Sequence, residues 1–221
     1  MYRLVTRVVL AAVAAVAGTA HAQSVSLKAG SSGIGLEASY GLTPLFGLRA
    51  NVLGGSLTRD ETRSGVRYDG KLKLVSSSFL VDLHPFSGSF RLTAGLTNNN
   101  NRFDATADPV SGLIEINGIE YPSSQVGTLQ AEVRFDRRAP YLGLGWGSAL
   151  RASAGLSFSL DFGAFLSKPA ATLKGNCGPA LTAPLCAQLQ ADIAAEQLQL
   201  QQSLDSVKGY PVLSVGFGYR F

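Results

Sequence analysis

The sequence predicts an all-β fold: an antiparallel transmembrane β-barrel of eight strands, or ten if residues 168–174 also span. Three observations lead there. Stretches of about ten residues recur in which every second side chain is apolar, the period of a strand with two unlike faces. The connections between them alternate between short and long, as do the two ends of a membrane-spanning barrel. The face opposite the apolar one carries glycine, serine and a few charges, too bare for the solvated side of a soluble sandwich.

In chain order, residues 1–22 come first and stand apart. Arg3 and Arg7 precede an apolar run at residues 8–17, and Ala20-His21-Ala22 stands before Gln23, so this segment reads as a cleaved signal peptide. The run is short of the ~20 apolar residues of a spanning helix, and no later stretch approaches that length. Residues 23–221 are then one barrel domain, with residues 167–209 inserted as a loop.

Ser24–Gly30 is the best first strand, with a turn at Gly30-Ser31-Ser32-Gly33. The apolar parity changes there, from Leu27 and Ala29 to Ile34 and Leu36; a bulge in one long strand changes parity too. Seven clear strands follow. Their apolar faces are Ile34 to Tyr40, Phe46 to Val52, Val75 to Leu83, Phe90 to Leu96, Pro140 to Trp146, Leu156 to Leu166 and Pro211 to Phe221. Each is near the 9–11 residues that a tilted strand needs to cross a bilayer. Residues 129–135 read as the protruding upper half of the strand ending at Trp146, kinked near Arg137-Arg138 and paired with residues 102–108 above the membrane.

The turns at residues 41–45, 84–88 and 148–153 are short, whereas residues 60–67, 98–126 and 167–209 form longer, more polar loops. Aromatic residues gather at the short-turn end: Tyr40, Phe46, Phe86, Phe90, Trp146, Tyr219 and Phe221. They read as an interfacial girdle, which makes the long loops extracellular. Within these loops Asn117-Gly118 signals a type I′ hairpin. Residues 186–208 read as a helix, from Leu189, Ile193, Leu200, Leu204 and Val207 at near-helical spacing between Pro184 and Gly209. It caps the barrel mouth or lies on the loops, binds a partner or the membrane surface, or plugs the lumen.

Charge excludes little but nucleic acid. The formal charge of +4 falls toward neutrality once Arg3 and Arg7 are removed, and no dense basic patch stands out. Cys177 and Cys186 are expected to pair in an exported chain; closing so small a loop stabilises it by ~2–3 kcal/mol. A metal site lacks ligands, and no cofactor is implied. The one histidine beyond the signal segment, His84, falls at a short turn beside Pro85 and Phe86. It reads as an interfacial turn residue, which leaves no Ser-His or Asp-His pair at the outer rim and argues against an enzyme. Asp60/Glu61 and Asp104/Asp108 are carboxylate pairs on the loops, read as solvated groups or divalent-cation bridges to lipopolysaccharide. Asn98 to Asn101 read as a polar ladder leaving the bilayer.

With the apolar face toward lipid, Glu37, Arg49, Asp82, Arg91, Asp161 and Arg220 point inward. The bases would each cost ~2–4 kcal/mol facing hydrocarbon at mid-depth. An eight-stranded interior is just wide enough for side chains to fill, so these six are expected to form a salt-bridged network that blocks a water path. The alternative is that they merely solvate a narrow wet lumen.

The signal segment, the alternating strands, Ala139-Pro-Tyr-Leu-Gly-Leu-Gly-Trp-Gly147 and the terminal Tyr219-Arg220-Phe221 together resemble small Gram-negative outer-membrane β-barrels of the broad OmpA/OmpX/OmpW-like class. The likeness covers essentially the whole chain after residue 22. It implies a cell outer-membrane location, lipopolysaccharide as a neighbour, and Tyr219 and Phe221 as the signal read by the barrel-assembly machinery. It fixes an architecture rather than an activity. Two functions stay open: a structural barrel that presents loops to an unidentified extracellular ligand, and a narrow porin-like channel for small or apolar solutes. Inner-face glycines at 143, 145, 147, 163, 216 and 218 either leave space or admit bulky neighbours such as Tyr141 and Phe165.

Overall fold

A computed structural model of the chain describes residues 24–63, 66–109, 111–147 and 154–221. The signal segment, the 148–153 turn and the tip of the 60–67 connection lie outside the described residues. Among the described residues eight strands close a ring: β1 (Ser24–Gly30), β2 (Gly33–Gly41), β3 (Phe46–Arg63), β4 (Val66–Leu83), β5 (Phe90–Asn99), β10 (Arg138–Gly147), β11 (Gly155–Phe165) and β13 (Tyr210–Arg220). Each is antiparallel to its neighbour, and β1 pairs with both β2 and β13, which completes the closure. Ser24–Gly30 is therefore the eighth strand. Gly30 faces Gly33 across a two-residue turn, so the parity change marks a hairpin rather than a bulge.

Burial follows the alternation. On β13, Leu213, Val215 and Phe217 are exposed while Val212, Ser214 and Arg220 are buried. Leu27, Ile34, Val52, Phe79, Leu96, Leu142, Phe158 and Phe162 are likewise exposed on the outside of the ring. Such an apolar belt around a closed sheet is stable only in contact with lipid or detergent. At the short-turn end, Phe90 packs on Phe86 and Trp146 with ring centroids 6.2 and 4.9 Å apart, and Tyr219 packs on Phe221 at 5.5 Å.

The sequence reading placed a loop at residues 60–67, but β3 and β4 run 18 residues each and stay paired to Arg63 and Val66. Their upper halves leave the ring and found a second sheet. Here β4 pairs with β6 (Arg102–Pro109), β6 with β9 (Val126–Phe135), and β9 with β12 (Pro169–Cys177). Residues 168–174 thus belong to this extension and do not enter the ring, which rules out ten spanning strands. As expected, 102–108 pairs with 129–135, and the chain breaks pairing at Asp136-Arg137 before β10 re-enters the ring.

The asparagine run makes the corner between the two sheets. Asn101 Oδ1 accepts from Val75 N at 2.9 Å, Asn99 Oδ1 accepts from Asn101 N at 3.0 Å, and Asn99 N donates to the Arg137 carbonyl at 2.7 Å. These side chains supply backbone partners where the ladder is interrupted, as buried peptide groups require.

Above the barrel, the hairpin of β7 (Leu113–Ile116) and β8 (Ile119–Pro122) turns at Asn117-Gly118, both at positive φ. Helix α1 (Ala183–Leu204) starts three and ends four residues earlier than the expected 186–208. Pro184 occupies its first turn, where a missing N–H costs nothing; Val207 lies beyond its end. Leu189 and Ile193 bury against Ile116, Tyr121 and Val126. The helix therefore lies on the loops rather than in the lumen. Cys177 and Cys186 form a disulfide, tying the end of β12 to the first turn of α1.

Candidate functional site

The inner face of the ring gathers its charges into one hub. β3 places Arg49 inward because Leu48 and Ala50 take the lipid side, and the same alternation turns in Glu37 on β2, Asp82 on β4, Arg91 on β5 and Asp161 on β11. The Arg49 guanidinium donates to Glu37 Oε1 at 3.2 Å, Asp161 Oδ1 at 3.1 Å, Asp82 Oδ1 at 3.0 Å and Thr93 Oγ1 at 3.1 Å. Arg91 Nη2 donates to the same Asp161 oxygen at 2.7 Å. Thr93 Oγ1 in turn donates to Asp82 at 2.7 Å, and Asn51 Nδ2 to Glu37 at 3.2 Å. The ionic side chains are at most 5% exposed.

Lys28 is the member that the sequence reading missed. Its Nζ lies 2.8 Å from Glu37 Oε2 and 2.6 Å from Asp161 Oδ2. The signal was present: if Leu27 and Ala29 face lipid, Lys28 must face the lumen. Glu37, Asp82 and Asp161 thus meet Arg49, Arg91 and Lys28. Arg220 is buried on the same inner face, level with Ser24 on β1.

Ring order gives the hub its meaning. β3 and β11 are four strands apart in either direction, so the Arg49–Asp161 pair spans the full diameter. A second layer is apolar: Leu80, Ala139, Tyr141, Phe165 and Val212 form one buried cluster with Tyr210 against it. It too draws on opposite strands, β4 and β13. Tyr141 packs on Phe165 with centroids 5.7 Å apart, and Phe165 stacks on Tyr210 at 6.0 Å.

Several of the glycines are cut to fit this filling. A Cβ at Gly143 or Gly163 would stand 2.6 or 2.5 Å from the Tyr141 hydroxyl; at Gly145 it would meet Asp161 and Arg91 at 2.8 and 2.9 Å. At Gly147 it would meet Arg91 Nη1 at 2.8 Å. These positions hold bulky partners instead of space.

His84 sits at its turn, buried, with Nδ1 2.8 Å from the Gly88 carbonyl oxygen. Of the loop carboxylates, Asp104 and Asp108 take arginine partners, Arg102 at 3.0 Å and Arg67 at 3.5 Å. Asp60 and Glu61 face Asp69 and Tyr68 across the β3–β4 ladder. Between the extension sheet, the hairpin and α1 lies a cavity of about 220 Å³, walled mainly by Val66, Tyr68, Leu129, Leu173 and Ile193.

No protein-family model matches this sequence, and no curated protein matches it. Among solved structures the chain is similar to the crystal structure of Acinetobacter baumannii CarO, with a TM-score of 0.60 and 18% identity, over 90% of this chain and 97% of that one. It is equally similar to Acinetobacter baumannii CarO2, with a TM-score of 0.60 and 18% identity, over 89% of this chain and 97% of that one. At that identity the likeness establishes the barrel fold.

Proposed function

We propose that the chain is an outer-membrane β-barrel with a closed lumen, acting as a membrane-anchored platform that presents its sheet, hairpin and helix outside the cell. The chain shares a barrel fold with Acinetobacter baumannii CarO, and the exposed apolar belt with one aromatic rim fits an outer-membrane setting. Export through a cleaved signal peptide and insertion through Tyr219 and Phe221 belong to this reading, as does lipopolysaccharide around the outer half.

The observation that carries the closed lumen is the Arg49–Asp161 pair across the diameter, backed by the apolar layer above it. A hydrated ion meeting this hub must displace paired groups, since a buried charge losing one partner costs several kcal/mol. The filled glycine positions favour this reading over a narrow channel. The role is non-catalytic: the histidine is spent on a turn, at the end of the barrel away from the loops.

Single-channel recording of the purified protein in planar bilayers tests it. The expected trace is flat for wild type. A stable unitary conductance from pure, folded protein would return the narrow-channel reading to first place.

A further inference from the structure

The outer face of the extension sheet carries an arrangement that sheet energetics disfavours. Lys73 on β4 stands directly opposite Arg102 on β6, which stands directly opposite Arg134 on β9. Like charges facing each other across neighbouring strands destabilise a sheet. The next row on the same face offers only partial relief. Arg102 reaches Asp104 at 3.0 Å and Glu132 at 3.7 Å, and Glu132 is shared with Arg134. Lys73 has no carboxylate within ion-pair distance among the described residues, and all three cations reach solvent.

Height decides what could relieve them. Lys73 is the next outward residue above Val75, which is exposed on the lipid side of β4 and followed by Phe79 further down. Two residues of strand rise roughly 7 Å; with Val75 taken as the top of the lipid-facing belt, this row stands one step above the hydrocarbon, at headgroup depth. It is also the lowest row of the extension, where β6 takes over from β5 as the partner of β4.

The geometry points to Lys73, Arg102 and Arg134 as a docking row for the phosphate of an anionic lipid headgroup in the outer leaflet. This rests on the outer-membrane reading above. Arginine offers paired donors to phosphate oxygens and lysine a point charge, and a row of three fits a headgroup lying across the lower end of the sheet.

The test uses the full barrel with lipid A, a glycolipid bearing two phosphates, as the probe. Co-flotation with pure phosphatidylcholine vesicles is measured first; binding of fluorescent lipid A in neutral detergent follows. The triple variant K73Q/R102Q/R134Q is expected to bind at least tenfold more weakly. E132Q, which frees the arginines from their internal anion, is expected to bind more tightly, a gain that a merely structural role would not produce. R59Q/R67Q, far up the hairpin, should match wild type. Equal binding by wild type and the triple variant would overturn the proposal, as would full competition by inorganic phosphate, which would mark a site for free anions. A wild type that floats but binds no lipid A sinks this inference alone. A wild type that does not float takes the membrane reading down with it.

Discussion

Arg49 makes hydrogen bonds to three carboxylates from three different strands, so the effect of removing it depends on what replaces the whole hub. Truncating one member of a buried pair leaves its partners charged in a poor solvent, at a cost of about 3–5 kcal/mol. Arg49→Ala should therefore lower the unfolding free energy in detergent micelles by an amount in that range. Neutralising the hub's other five charges as well, with Lys28→Met, Glu37→Gln, Asp82→Asn, Arg91→Met and Asp161→Asn, should return much of the loss, because no buried charge is then left without its partner; urea titration followed by gel mobility reads both. Asp161 accepts from Arg49 and Arg91 and pairs with Lys28, so Asp161→Asn should be costlier than Asp82→Asn. Lys28 also marks the limit of what the residues alone conveyed. Its inward direction followed from parity, but its partners depend on how the strands are staggered around the ring, and alternation within a strand does not contain that stagger.

Helix α1 shows how an element can do the work of a strand. β12 is the edge of the extension sheet, paired only with β9 among the described residues, and an open edge invites strand addition. Three glutamines cover it. Gln201 Oε1 accepts from Ala171 N at 2.9 Å, Gln197 Oε1 accepts from Leu173 N at 3.1 Å, and Gln190 Nε2 donates to the Gly175 carbonyl at 2.8 Å. Alternate edge residues are thus answered by side-chain amides instead of another backbone. The triple variant Q190A/Q197A/Q201A should leave the helix tethered by Cys177–Cys186 yet make the protein self-associate, seen by light scattering in detergent; a strictly monomeric variant would show the amides to be incidental. The helix was legible from its apolar spacing, but the partners of its glutamines were not. Nothing in their own spacing says that a strand edge lies opposite.

The same element carries a pH dependence. The Tyr121 hydroxyl donates to Asp192, which also accepts from Asn117 at 3.1 Å. That bond pushes the tyrosine up to about 12 and holds the Asp192 carboxyl below its usual range, with Asn117 assisting. A raised tyrosine contributes stability that is whole below pH ~10 and lost as pH climbs toward 12. A depressed carboxyl contributes stability that is whole above its ordinary range and lost in acid. Docking of the hairpin on α1 should accordingly be firmest at intermediate pH and loosen at both extremes. Hydrogen exchange of the β7–β8 amides checks this, and Asp192→Asn should flatten the acid side.

At the scale of the whole molecule, the ring was readable because a membrane barrel repeats one simple demand, apolar outside and small or charged inside, along every strand. The extension was only half readable: β6 and β9 were paired correctly, whereas the long β3–β4 hairpin looked like a loop. Above the bilayer neither side of those strands faces lipid, so the pattern that betrays the lower halves is absent. What holds the account together is the orientation of the faces in the ring. The most direct measurement is a nitroxide scan along β13 in liposomes, one cysteine at a time at positions 211–219, reading collisions with oxygen dissolved in the acyl region. Accessibility should peak at Leu213, Val215 and Phe217 and fall at Ser214 and Gly216. A flat profile, or one with its peaks on the even positions, would contradict the orientation and with it the closed, lipid-bounded barrel.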